Sequence, residues 1–195
     1  MRYTEELVPM TREELAICVS DKMSEKRFAH VLRVEKKAIE LAKRYGGNLE
    51  KASIAALTHD YAKERPDSEM IELIQQGLFE KELLEYGNPI WHGVIGSYLV
   101  EQELGITDEA ILSAVRLHTT GAKEMSLLDK IIYVADYIEE GRVFPLVSEA
   151  RQIAERDLDE AVAFETLHTL EYLIKNKNKV YPKTLETYNQ WVVTH

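Results

Sequence analysis

Residues 55–63 read AALTHDYAK, a small apolar run that ends in adjacent His59 and Asp60, with Lys63 one turn further on. Two neighbouring titratable groups at the end of such a run are costly to bury unless something compensates them. Of six histidines, five lie in helical patterns or at their ends: His30, His59, His92, His118 and His168. His118 continues the stripe Ile111, Ala114, Val115, and His92 begins the stripe Ile95, Gly96, Leu99, so both point with the apolar residues. Asp136 continues Asp129, Ile132 and Tyr133 in the same way, and His30 shares a face with Arg27, Val34 and, obliquely, Arg33. Singly, an inward histidine is an ordinary hydrogen-bonded core residue and an aspartate near a helix end is a cap. Four inward histidines (His30, His59, His92, His118) and two inward carboxylates (Asp60, Asp136) in one bundle call for a shared partner. A divalent metal centre satisfies them together, because neutral imidazole and carboxylate are its natural ligands.

The elements that must position these groups are almost all helices. Thr11-Arg-Glu-Glu14 forms a capping box, and Ser24 precedes a pattern from about 25 to 45 that Gly46-Gly47 stops. Asn48 caps the helix carrying AALTHD, Pro66 restarts a short helix to Gly77, and Pro89 opens another through Gly105. Thr107-Asp108 caps a helix to His118, and Ser126 caps LLDKIIYVADYIEE. Two more helical stretches follow, 148–174, bent or broken near Arg156-Asp157, and 184–193. Few strand signals and no repeat or linker interrupt this series, so the expected fold is all-α: one domain over 1–195, with a motif core at about 24–142 and C-terminal helices at about 148–193 packing on it. Lys175-Asn-Lys-Asn-Lys179 reads as a solvated, frayed helix end.

Composition narrows the function. The chain has 195 residues, 45% of them hydrophobic, which is enough to bury a site completely. A net charge of −10 argues against general nucleic-acid affinity, which needs a basic surface, but allows a small anionic ligand held by a local cationic cluster. The one cysteine, Cys18, rules out an internal disulfide or a thiolate zinc site and reads as packing. No apolar run approaches the ~20 residues of a spanning helix, and MRYTEELVPM lacks the regions of a secretory signal, so no membrane and a cytoplasmic location are expected.

The ordered set His30, His59-Asp60, His92, His118, Asp136 resembles the HD-domain metal-dependent phosphohydrolases. The flanking strings RFAHVLRV, THDYAKE, HGVIGSYL, RLHTTG, DKIIYVADYIEEGR and VYPKTLETYN are similar to the YqeK subgroup, the symmetrical diadenosine tetraphosphate hydrolases. This likeness runs from about Thr11 to Asn189. It implies an HD-type helical bundle around a buried dinuclear site, with two transition-metal ions per chain, iron or else manganese. His30, His59, Asp60 and Asp136 would hold one ion, His92 and His118 would complete a second site, and Asp60 would bridge both. Ions about 3.5–4 Å apart hold a hydroxide between them and polarise the phosphoryl oxygens that it attacks, so no protein nucleophile is needed.

The same likeness turns attention to cations near these residues. Lys63, Arg27, Arg33 and Arg142 would form the positive lining that an acidic protein needs to hold a polyphosphate, with arginine suited to bidentate phosphate contacts. Thr119 would donate a hydroxyl to a phosphate oxygen, and Tyr181, Pro182, Lys183, Thr184 and Leu185 would close over the nucleoside. Asp60 and Lys63 carry the expected catalytic roles, while His168 and His195 match no motif and read as structural. The expected reaction is cleavage of diadenosine tetraphosphate to two ADP. Alternatives are another HD-type nucleotide hydrolase, acting on nucleoside triphosphates, monophosphates or cyclic nucleotides, and a non-enzymatic nucleotide sensor. Leu78-Phe79 and Val143-Phe144 are apolar pairs that could support a homodimer.

Overall fold

The computed structural model describes residues 3–193, so His195 lies outside the described residues. Among these are ten α-helices, one 3-10 helix and no strand: α1 (Arg12–Ser20), α2 (Glu25–Tyr45), α3 (Leu49–Thr58), α4 (Asp67–Gln75), the 3-10 turn Lys81–Glu85, α5 (Asn88–Leu104), α6 (Glu109–Leu117), α7 (Leu127–Ile138), α8 (Val147–Ala154), α9 (Leu158–Lys175) and α10 (Pro182–Trp191). The starts use the caps that the sequence offers. Thr11 and Ser126 each form a reciprocal box with the residue three further on, and Ser24, Asn48, Asp108 and Asp157 accept from backbone N–H groups of the first turn. Gly46 and Gly105, at φ 72° and 67°, end α2 and α5 in the left-handed conformation that glycine adopts without a side-chain clash. Helix α10 begins at Pro182, two residues before the expected Thr184, because proline at the first helical position gives up no intrahelical bond.

The centre of the bundle is α3, buried from Ala52 to Thr58 and packed against α1, α2, α6 and α7. Alanine and serine keep its girth small, so four helices can close on it at core packing density. Glycine does the same for α5. A Cβ at Gly93 would stand 3.2 Å from the Arg116 carbonyl of α6, and one at Gly96 would stand 3.2 Å from Ala62 Cβ. These close approaches bring the His92 end of α5 beside the end of α6.

Helix α9 packs on α7, α8 and α10. Helix α10 is fastened to the loop after α6: Thr187 Oγ1 lies 2.9 Å from the Thr120 carbonyl, and Trp191 Nε1 donates to Ala122 at 2.9 Å. Gly121, at φ 61°, lies where a Cβ would meet Thr187 Cγ2 at 2.6 Å. Cys18 is half-buried and free, 3.9 Å from Met10 Sδ. Each apolar pair noted above is partly engaged within the chain: Phe79 packs on Tyr98 and Phe144 on Tyr137, which leaves Leu78 and Val143 exposed. Among the described residues no helix is long and apolar enough to cross a membrane.

Candidate metal centre

Five helices deliver the predicted groups to one point. His30 comes from α2, His92 from α5 and Asp136 from α7, while His59 and His118 are the residues that terminate α3 and α6. Asp60 is not on a helix, as the sequence suggested, but in the turn after α3, closed by hydrogen bonds from Tyr61 N to Thr58 O and from Lys63 N to Asp60 O. Leaving the helix lets the Asp60 carboxylate turn back over the end of α3. His30, His59, His92, His118 and Asp60 are buried, and the Asp136 side chain is 20% exposed.

Asp60 is the hub. Its Oδ2 lies 3.4 Å from His59 Nε2 and 3.6 Å from His30 Nε2, while its Oδ1 lies 3.4 Å from His92 Nε2 and 3.7 Å from His118 Nε2. Asp136 Oδ1 stands 3.1 Å from His30 Nε2. Ligand-type atoms of His30, His59 and Asp60, of Asp60, His92 and His118, and of His59, His118 and Asp136 form three groups within 4.8 Å.

Each imidazole is oriented by its other nitrogen. Nδ1 of His59, His92 and His118 reaches the carbonyls of Ala56, Asn88 and Val115 at 2.6, 2.7 and 2.7 Å, and His30 Nδ1 reaches Glu139 Oε1 at 3.2 Å. A carbonyl can only accept, so those nitrogens carry the protons and the Nε2 lone pairs face the centre. The Nε2 atoms of His30 and His59 are buried without a hydrogen-bond partner. Those of His92 and His118 meet at 3.0 Å, lone pair to lone pair unless a cation or a proton lies between them. This donor set suits a divalent metal, and the orphaned nitrogens are the places where it would be held.

The electrostatics agree. Burial opposes charge on Asp60, but His59 and His118 outweigh it and hold the carboxyl well below 3.8. Burial, together with His118 and Lys63, pushes His92 down to about 3, so it is neutral and able to ligate. For Asp136, burial is overcome by the adjacent His30 imidazole and by Arg142, and the group stays ionised.

The predicted cations divide into two groups. Arg27 Nη1 bonds Asp60 Oδ2 at 2.9 Å, and Arg142 Nη2 bonds Asp136 Oδ1 at 2.6 Å, so both sit on the cluster itself. Lys63 Nζ is 3.4 Å from His92 Nδ1, half-buried, with burial lowering its pKa from 10.5 against the pull of Asp60. Arg33 is instead directed at Glu139, with Nε 2.6 Å from Oε2, and a Cβ at Gly141 would intrude on its guanidinium. It supports the His30–Glu139 pair through Nε and Nη2, while its side chain stays about one-third exposed.

A cavity of about 550 Å³ opens beside the cluster, lined at one end by His118, Thr119, Asp136 and Arg142. Thr119 Oγ1 is buried there with no hydrogen-bond partner, which suits its expected role. Tyr181 lies elsewhere, packed on Tyr86 at 4.9 Å and lining a separate cavity with Leu78, Phe79 and Lys81. Pro182, Lys183 and Leu185 are exposed on the first turn of α10 and Thr184 is buried, and none of the five lines the cavity at His118. His168, expected to be only structural, does line that cavity.

Two glutamates of the site escaped the sequence reading. Glu139 is 2% exposed, accepts from Gly141 N at 2.5 Å, and holds both His30 and Arg33. Glu165 is 6% exposed and lines the cavity. A signal existed for the second: Leu158, Ala161, Val162 and Glu165 follow the same inward stripe spacing that singled out Asp136.

An all-α bundle that gathers four imidazoles and a second carboxylate about one buried aspartate has the architecture of an HD domain, and the model of that family matches residues 27–141. The chain belongs to the HD-domain family. It is 46% identical over 185 residues to a Bacillus subtilis protein named symmetrical bis(5'-nucleosyl)-tetraphosphatase, covering 95% of this chain and 99% of that one. A Halalkalibacterium halodurans protein of the same name is 44% identical, covering 93% and 97%. A Clostridium acetobutylicum crystal structure, described as a predicted HD superfamily hydrolase involved in NAD metabolism, superposes with a TM-score of 0.86 at 35% identity, over 95% of this chain and 99% of that one.

Proposed function

We propose that this protein hydrolyses bis(5'-nucleosyl) tetraphosphates symmetrically, diadenosine tetraphosphate to two ADP, using two divalent transition-metal ions, iron or manganese. The observation that carries the reading is the split of Asp60, whose Oδ2 faces His30 and His59 and whose Oδ1 faces His92 and His118. His30, His59, Asp136 and Asp60 would hold one ion; His92, His118 and Asp60 the other. When bound, such ions supply a water of lowered pKa and Lewis acidity toward phosphoryl oxygens. Relatives at 44–46% identity over nearly the whole chain support the substrate class.

The chain's own residues then bind and orient. Arg27 and Arg142 fix the carboxylates Asp60 and Asp136, and Glu139 fixes the His30 ring. Lys63 and Thr119 border the cluster with an ammonium and a free hydroxyl, the donors that a phosphate chain requires. Gripping one nucleoside-diphosphate half fixes which phosphorus faces the cluster, and in-line displacement makes the other half the leaving group. Chromatography of early products in oxygen-18 water tests this: ADP alone, with one product labelled, is expected. Equal AMP and ATP would show a different register, and turnover of mononucleotides alone would reassign the reaction.

A further inference from the structure

Helix α7, which carries Asp136, ends at Ile138 with no basic residue in its last turn, and its end is capped from another helix. Arg151 of α8 donates from Nε to the Ile138 carbonyl at 2.9 Å, and from Nη2 to the carbonyls of Glu139 and Arg142 at 2.7 and 3.1 Å. The Glu139 carbonyl also accepts from Arg142 N at 3.0 Å, so one guanidinium spans the whole turn 139–142. Both side chains of that turn reach the metal cluster. Glu139 holds His30 Nδ1 at 3.2 Å, and Arg142 holds Asp136 Oδ1 at 2.6 Å. Helix α8 is itself tied to α2, the helix of His30, where Arg44 Nη1 donates to the Glu155 carbonyl and Tyr45 Oη to that of Ala154, each at 2.8 Å. The other imidazoles draw nothing from this turn, because His59, His92 and His118 are oriented by Ala56, Asn88 and Val115. Arg151 also lies beyond residues 27–141, the stretch that the family model matches.

We propose, resting on the hydrolase reading, that Arg151 is a positioning residue for one half of the metal centre. By fixing the turn 139–142 it sets the Glu139–His30 and Arg142–Asp136 contacts, and through them the affinity for the ion that His30 and Asp136 would hold. The chemistry suits arginine. Its planar fork serves three carbonyls in one geometry, whereas lysine, a point charge on a flexible stem, cannot reproduce that fork. A cation at the end of α7 is favoured as well by the exposed carbonyl dipoles there. Without it the turn is held by far fewer bonds, and Glu139 and Arg142 lose the fixed backbone from which they orient two ligands. Such outer partners commonly govern metal affinity by about 10–100-fold. The half built on His92 and His118 hangs on α5 and α6 and is independent of the turn.

The test titrates metal-free protein with manganese(II) in wild type, Arg151→Met, Arg151→Lys and Arg12→Met, the last a control that breaks an ion pair with Glu35 and touches neither the turn nor a ligand. Arg151→Met should weaken one of the two ions about 10–100-fold and leave the other within about twofold. Arg151→Lys should fall between it and the wild type, and Arg12→Met should lower Tm without separating the two affinities. Two backgrounds assign the half: adding Arg151→Met to His118→Ala should weaken the remaining ion, and adding it to His30→Ala should not. Hydrogen exchange on metal-free protein reads the turn directly, with the Gly141 and Arg142 amides exchanging faster in Arg151→Met and those of α5 unchanged. At saturating metal, hydrolysis should return to within about twofold of the wild-type kcat with KM for the substrate unchanged. Equal weakening of both ions, or a folded Arg151→Met protein with wild-type affinities and exchange, would overturn the proposal. If Arg151→Met does not fold, Arg151→Lys carries the same comparison. A wild type that turns over no dinucleoside tetraphosphate, while Arg151→Met still loses one ion selectively, would overturn the reaction and keep the positioning role.

Discussion

His92 and His118 bring their Nε2 atoms within 3.0 Å of each other while their Nδ1 atoms are committed to the carbonyls of Asn88 and Val115. Two lone pairs at that distance repel unless a cation is shared. Burial and the charges of His118 and Lys63 push His92 down to about 3, so a proton is a poor occupant near neutral pH. The pair, with Asp60 Oδ1 beside it, is therefore built to be relieved by a metal.

Elemental analysis after anaerobic purification should accordingly find two transition-metal ions per chain, and His118→Ala should retain one. The variant removes a ligand of one proposed site and leaves His30, His59 and Asp136 intact. A wild type that saturates at one ion would remove the dinuclear reading.

Asp60→Ala should lose both ions and all hydrolysis together, since each carboxylate oxygen serves a different histidine pair. Lys63→Ala should keep the metals and lose roughly 1.5–3 kcal/mol of transition-state stabilisation, the worth of one charge-assisted hydrogen bond. Wild-type turnover in the lysine variant would show that Lys63 does not touch the phosphates.

Glu139 holds His30 from behind, and Arg33 holds Glu139. Glu139→Gln should weaken metal affinity by about 10–100-fold, as removal of outer ligand partners commonly does. Gly141→Ala should act in the same direction, because the added Cβ would stand 2.5 Å from Arg33 Nε. Metal titrations separate this from a catalytic defect: the losses should appear in affinity and be rescued by excess metal.

The sequence carried the helices and the convergence of the six ionisable side chains well because both leave local marks. Ser24, Asn48, Asp108 and Ser126 sit where caps belong, and His92 and His118 continue apolar stripes into the core. What it could not carry depends on contacts between distant segments. Arg33 stands beside His30 in the chain and looks like a phosphate ligand, but Glu139, far along the sequence, captures it. Tyr181 precedes a helix whose position is fixed by Thr187 and Trp191 bonding to the loop at residues 120–122, and that leaves the tyrosine against Tyr86. The 3-10 turn Lys81–Glu85 is too short to show a period.

Glu165 supplies a pH test that needs no substrate. Its folded pKa lies well above the ordinary 4.5, chiefly because burial penalises the charged form, with Asp136 adding to this and Arg142 opposing it. Tyr133 and Tyr137 face it from α7, and His168 shares its cavity. The folded protein thus binds a proton that the unfolded chain releases above about pH 4.5, so the contribution of Glu165 to stability declines as pH rises from there through the folded pKa. Glu165→Gln keeps the shape and cannot ionise. Thermal melting of wild type and variant at matched metal content should therefore give a stability difference near pH 4.5 that shifts steadily in favour of the glutamine form towards pH 8. The sign follows from which state holds the proton, and a carboxylate ionised in the fold would reverse it. A difference independent of pH would show that Glu165 titrates as it does in the unfolded chain, and that burial is relieved by a partner such as Arg142.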